Sequence, residues 1–283
     1  MSGRSSARRA ARRALGLVAL ATSLSTLVLV SARGAASAGG AITAGSTAAL
    51  AGAPRDVTSA SPATSAPQDT RRHTLIGEGN ASIDVYPPTS PSSARAGAIV
   101  VLHGMCMEPS DVCDFWPGDA RGDSWALCPR GNGTCSGAPD WVGPIASRVD
   151  SARRSLDAAA LAHGDAIDVE RRVLVGYSRG AFLARDVLYD GHERFSAAIF
   201  LGAAVTPEPA RLAASGVRRV VMAAGDFDGA KPVMVRAVDK LRAGGIEARF
   251  VSLGRMGHGL PANLAVVLAE PLSWARGAET VSP

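Results

Sequence analysis

Residues Val173, Leu174, Val175, Gly176, Tyr177, Ser178, Arg179, Gly180 and Ala181 constrain this chain more than any other stretch. The first three read as a buried strand, and the apolar run that opens at Ala181 reads as a helix. Between them lies Gly-Tyr-Ser-Arg-Gly. A chain that leaves a buried strand and enters a helix within five residues must turn sharply. Glycine at 176 and 180 removes the Cβ atoms that would clash across such a turn. The turn lifts the Ser178 hydroxyl out of the sheet and aims the next backbone N–H at the same point in space. In a chain with 31 glycines the pattern alone is a weak signal. The strand before it and the helix behind it make it informative.

Other runs extend this picture. Apolar or alternating stretches at 82–86, 98–102, 125–128, 172–175, 197–201, 217–223 and 248–253 read as strands. Stretches at 142–163, 181–188, 209–214, 232–243 and 264–275 read as helices. Short apolar runs that alternate with helices predict an α/β fold, a mostly parallel central sheet flanked by helices on both faces. Reactive groups in such sheets gather at the carboxyl ends of the strands. Two further strand ends carry suitable chemistry. Met222-Ala223-Ala224 runs into Gly225-Asp226-Phe227-Asp228, and Leu253 leads to the glycine-flanked His258. The chain order is Ser, Asp, His.

In this combination the sequence resembles the α/β-hydrolases. The likeness spans about 98–275 and rests on four motifs: the turn at 176–180, His103-Gly104 after an early strand, Gly225-x-x-Asp228 after a late one, and Gly257-His258 near the end. The resemblance implies a serine hydrolase that cleaves carboxylic esters through an acyl-enzyme. Ser178 would be the nucleophile, His258 the general base and acid, and an aspartate the group that orients the histidine. Asp228 fits the family spacing; Asp226, two residues nearer the strand, is the alternative. The oxyanion hole would be formed by the backbone N–H groups of Met105 and Arg179. Elementary chemistry asks for the same parts. A serine hydroxyl needs a base within reach, neutral histidine suits that exchange, and a carboxylate behind it fixes the tautomer. His103 precedes the serine and reads as support for the oxyanion loop. The connection over 202–216 holds only a short helix, so the site should be lidless and open to small or polymeric esters. Met105, Phe115, Trp116, Trp125 and Trp141 are available to line a pocket beside Ser178, or to pack in the core.

The start of the chain bears on where this chemistry happens. Arg4, Arg8, Arg9, Arg12 and Arg13 precede an uncharged apolar stretch over 14–30, and Ala36-Ser37-Ala38 offers a small-x-small cut. That order predicts a signal peptide over 1–38, with an uncleaved membrane anchor as the alternative and as the only membrane contact. Residues 39–70 are rich in Ala, Ser, Thr and Pro and read as a disordered linker, which leaves 71–283 as the catalytic domain. The expected location is secreted or periplasmic. Six arginines and no acidic residue fall within 1–38, which takes the formal charge from +5 for the chain to −1 beyond it. No basic stripe remains for nucleic acid. Four cysteines, Cys106, Cys113, Cys128 and Cys135, predict two disulfides in an exported protein. Of three connectivities the local pairs Cys106–Cys113 and Cys128–Cys135 are favoured. No C-x-x-C spacing suggests a metal. Neither a phosphate loop nor a dinucleotide fingerprint is present, so no cofactor is expected. A non-catalytic binding module on the same scaffold is the alternative, as is a peptidase or acyltransferase on the same triad.

Overall fold

The computed structural model describes residues 72–89, 95–116 and 124–277. The expected export signal at 1–38 and the linker at 39–70 lie outside the described residues. Strands β1 (His73–Ile76), β2 (Ser82–Tyr86), β3 (Ala96–Leu102) and β4 (Trp125–Pro129) come first, with the one-turn helix α1 (Ser110–Cys113) between the last two. A hairpin of β5 (Gly133–Cys135) and β6 (Ala138–Asp140) leads to helix α2 (Ile145–His163). Then follow β7 (Ile167–Tyr177), α3 (Arg179–Asp190), β8 (Ala197–Leu201), α4 (Pro209–Ala214), β9 (Arg219–Ala224), α5 (Lys231–Ala243), β10 (Glu247–Ser252) and α6 (Leu264–Ala275).

Eight strands form one sheet in the order β1-β2-β4-β3-β7-β8-β9-β10. All neighbours from β4 to β10 run parallel, and β2 is antiparallel to both β1 and β4. The central strands are buried on both faces, which is why they read as unbroken apolar runs. Every residue of β3 and of β8 is buried. The two-residue period of a strand divides these side chains between the faces. Val100, Leu102, Leu174, Phe200 and Met222 pack with Leu156 of α2, Leu183 of α3 and Met234 of α5 on one side. Ile99, Val101, Val173, Val175, Ile199 and Val221 pack with Val112 of α1 and Leu268 of α6 on the other. Edge strand β1, half-buried and only four residues long, escapes the sequence reading because so short an alternation is not distinctive. Among the described residues no helix is long and apolar enough to cross a membrane.

Candidate active site

The carboxyl ends of β3, β7, β9 and β10 place the expected residues. At the end of β7 the chain turns through Ser178, whose φ of 51° and ψ of −116° are strained for a residue with a Cβ. Its N–H donates to the Leu201 carbonyl (2.9 Å), and its own carbonyl accepts from the Ala181 N–H (3.0 Å). A Cβ on Gly176 would lie 2.4 Å from the Gly180 oxygen, and one on Gly180 would lie 2.1 Å from the Leu102 oxygen. Close backbone approach, rather than local flexibility, is what demands both glycines.

The turn after β9 is stitched to the loop after β10. Asp226 N–H donates to the Gly254 carbonyl (2.8 Å) and Phe227 N–H to the Met256 carbonyl (3.0 Å). These bonds carry His258 to the serine. His258 Nε2 lies 3.0 Å from Ser178 Oγ, and His258 Nδ1 lies 3.0 Å from Asp228 Oδ2. The other carboxylate oxygen of Asp228 accepts the Ala230 N–H (2.8 Å). Asp228 is buried, whereas the His258 side chain is half-exposed and stacks against the Tyr177 ring, with centroids 5.5 Å apart. With Nδ1–H donating to Asp228, Nε2 is left to accept the serine proton. Asp226 points elsewhere. Its carboxylate accepts from Lys231 Nζ and Ser252 Oγ, both at 2.8 Å, and the lysine above all holds its pKa below the usual carboxylate range. Of the two aspartates left open by the sequence, the one against the imidazole is Asp228.

The two expected oxyanion donors flank this line. Arg179 opens α3 directly after the serine, and Met105 sits in the turn after β3. Among the described residues neither N–H has a hydrogen-bond acceptor. His103, fully buried below the turn, donates from Nδ1 to the Gly104 carbonyl (2.7 Å) and accepts the Gly131 N–H at Nε2 (2.9 Å). This pair of bonds requires the neutral ring, and burial pushes its pKa down to about 4. Among the described residues one group has metal-ligand geometry, Cys106, Cys135 and Asp140, but its two sulfurs are bonded to each other and offer no thiolate.

No protein-family model and no curated protein matches the sequence. Solved structures do. A carboxylesterase of Bacillus cereus aligns with a TM-score of 0.55 at 18% identity, over 70% of this chain and 96% of its own. Esterase PE8 aligns at 0.52 and 24% identity, over 71% of this chain and 99% of its own. A bacterial heroin esterase aligns at 0.52 and 13% identity, over 74% and 83% of the two chains. The fold is that of the α/β-hydrolases. These structural neighbours are esterases, and the strand ends that carry Ser178, Asp228 and His258 lie within the α/β-hydrolase sheet.

One expectation needs correction within the α/β-hydrolase frame. The cysteines pair as Cys106–Cys135 and Cys113–Cys128, not locally. The β5–β6 hairpin folds against the turn after β3 and brings the Cα of Cys135 to 5.0 Å from that of Cys106. Helix α1 packs on β4 and so sets Cys113 opposite Cys128. Of the two readings open for the aromatics, core packing holds for the tryptophans. Trp116, Trp125 and Trp141 are buried; Trp125 stacks on His163, and Trp141 stacks on His103. Met105 is exposed and Phe115 half-buried, so these two alone of the five reach the surface. The connection from β8 to β9 carries only the six-residue α4 and no inserted lid. The sequence reading missed the hairpin itself and Asp140 at its end. Ser136-Gly137 was the available signal, a two-residue turn with φ of 49° and 87°, as tight hairpins require.

Proposed function

We propose that this chain is an exported serine hydrolase that cleaves carboxylic esters through an acyl-enzyme. The observation that carries the reading is the unbroken hydrogen-bonded line from Ser178 Oγ through His258 to the buried Asp228. In the first half-reaction Ser178 Oγ attacks the ester carbonyl carbon while His258 Nε2 takes the hydroxyl proton. The carbonyl oxygen becomes an oxyanion and receives the N–H groups of Arg179 and Met105. The tetrahedral centre collapses, the carbon–alkoxide bond breaks, and the leaving oxygen takes the proton back from His258. Water then attacks the acyl-serine by the same route, so that ester and water become acid and alcohol. Asp228 stays ionised, holds the imidazole in the required tautomer and balances its charge when protonated.

An open site with a half-exposed histidine and no lid suits small esters or the surface of an ester polymer. No cofactor enters this mechanism. The basic segment, apolar stretch and small-x-small cut within 1–38 support export, as do the two disulfides. The test is labelling with a fluorophosphonate probe. Wild type should label, whereas Ser178→Ala should not and His258→Ala should label far more slowly. A folded, oxidised wild type that resists the probe would leave the binding-module reading in its place.

A further inference from the structure

The turn that carries the Met105 N–H has little to hold it in its own sequence. It follows β3 without regular structure, Met105 is exposed, and Cys106 adopts a positive φ of 50°. Besides the bonds His103 makes to the Gly104 carbonyl and the Gly131 N–H, its hold comes from the β5–β6 hairpin and the residue that follows it. Met107 N–H donates to the Pro139 carbonyl (3.1 Å), Trp141 Nε1 donates to the His103 carbonyl (3.0 Å), and Cys106 is bonded to Cys135. The hairpin is in turn tied to the serine turn by one side chain. Arg179 Nη1 donates to Asp140 Oδ2 (2.7 Å), and Arg179 Nη2 reaches Met105 Sδ (2.8 Å). Asp140 is 3% exposed, and its second oxygen accepts the Trp141 N–H (2.8 Å). A buried carboxylate of this kind is costly without its counter-charge, so the pair has one stable arrangement.

We propose that the Arg179 side chain and Asp140 form a brace that fixes the two oxyanion donors relative to each other. The inference rests on the ester-hydrolase reading above. Arg179 supplies one N–H from its backbone, and through Asp140 its guanidinium secures the hairpin that holds the other. Both groups act as positioning residues. An oxyanion donor acts by being in place before charge develops, and a displacement of about 1 Å can cost on the order of a hundredfold in rate. Ground-state ester binding does not depend on that placement to the same degree.

The test compares Arg179→Met, Asp140→Asn and the double variant with wild type, using p-nitrophenyl acetate as a neutral ester. Each single variant should lose about 10- to 100-fold in kcat with KM within about threefold, and the double variant should be no worse than the singles. Affinity for an aryl boronic acid, which mimics the tetrahedral intermediate, should fall in parallel. Arg179→Lys keeps a charge beside Asp140 and should retain an intermediate kcat, which serves if Asp140→Asn does not fold. A kcat within about threefold of wild type in Arg179→Met would overturn the brace. So would a rise in KM confined to esters bearing a carboxylate, because the guanidinium would then be binding substrate. If wild type itself resists the fluorophosphonate probe, the ester-hydrolase reading fails, and the brace fails with it.

Discussion

At the residue scale, Asp226 and Asp228 show how two like groups in one turn acquire different duties. Asp226 is held by Lys231 and Ser252, and Asp228 by the Ala230 N–H and His258. Asp228→Asn should therefore lower kcat by about a thousandfold or more, because the imidazole loses the partner that sets its tautomer. Asp226→Asn should cost less than about tenfold. Steady-state kinetics on a chromogenic ester separates the two. The serine and the histidine were legible in the sequence because each follows a strand end with flanking glycines. For the acid the sequence favoured Asp228 through the family spacing alone, and only the neighbours through space separate it from Asp226. His103 carries a second prediction. Its folded pKa of about 4 lies below the ordinary 6.5, so the unfolded chain takes up the proton first as pH falls. Stability is full above about pH 6.5, is lost progressively toward pH 4, and the total is roughly 3 kcal/mol. Urea unfolding at a series of pH values should show this slope in wild type and a flatter one in His103→Gln.

At the element scale the β5–β6 hairpin matters most. Three-residue strands have no period to detect, so the segment reads as a loop in the sequence. Its turn, its disulfide and its hold on the Met105 turn become apparent only when the chain is folded. The two disulfides should differ in behaviour. Cys113 and Cys128 are buried against the sheet, whereas Cys106 and Cys135 are partly exposed. Mild reductant should open Cys106–Cys135 first, and esterase activity should fall while the domain stays folded. Thiol alkylation read by mass spectrometry, alongside circular dichroism, follows both events. Loss of the second bond should then cost about 3 kcal/mol, the expected scale for a loop of its length. Simultaneous alkylation of all four cysteines, or unchanged activity with the first bond open, would contradict this order.

At the scale of the whole molecule, residues 39–70 are rich in Ala, Ser, Thr and Pro with few large apolar side chains, and 1–38 read as an export signal. A chain that begins at residue 71 should therefore keep the catalytic rate of the full chain and a thermal midpoint within about 2 °C of it. Scanning calorimetry and ester kinetics on the two proteins check this, and a large loss would assign residues 1–70 a structural role.

Read on its own, the chain was enough for the α/β class, for seven of the eight strands of the sheet, for helices α2 to α6 and for the sharp turn at Ser178. These are local properties, set by apolar runs, periodicity and glycine at positions where backbones nearly touch. Which cysteines meet, which carboxylate faces His258, that three tryptophans belong to the core and that Asp140 reaches Arg179 were settled by packing. Those outcomes depend on distances between segments far apart in the chain, and packing sets such distances where no local pattern records them.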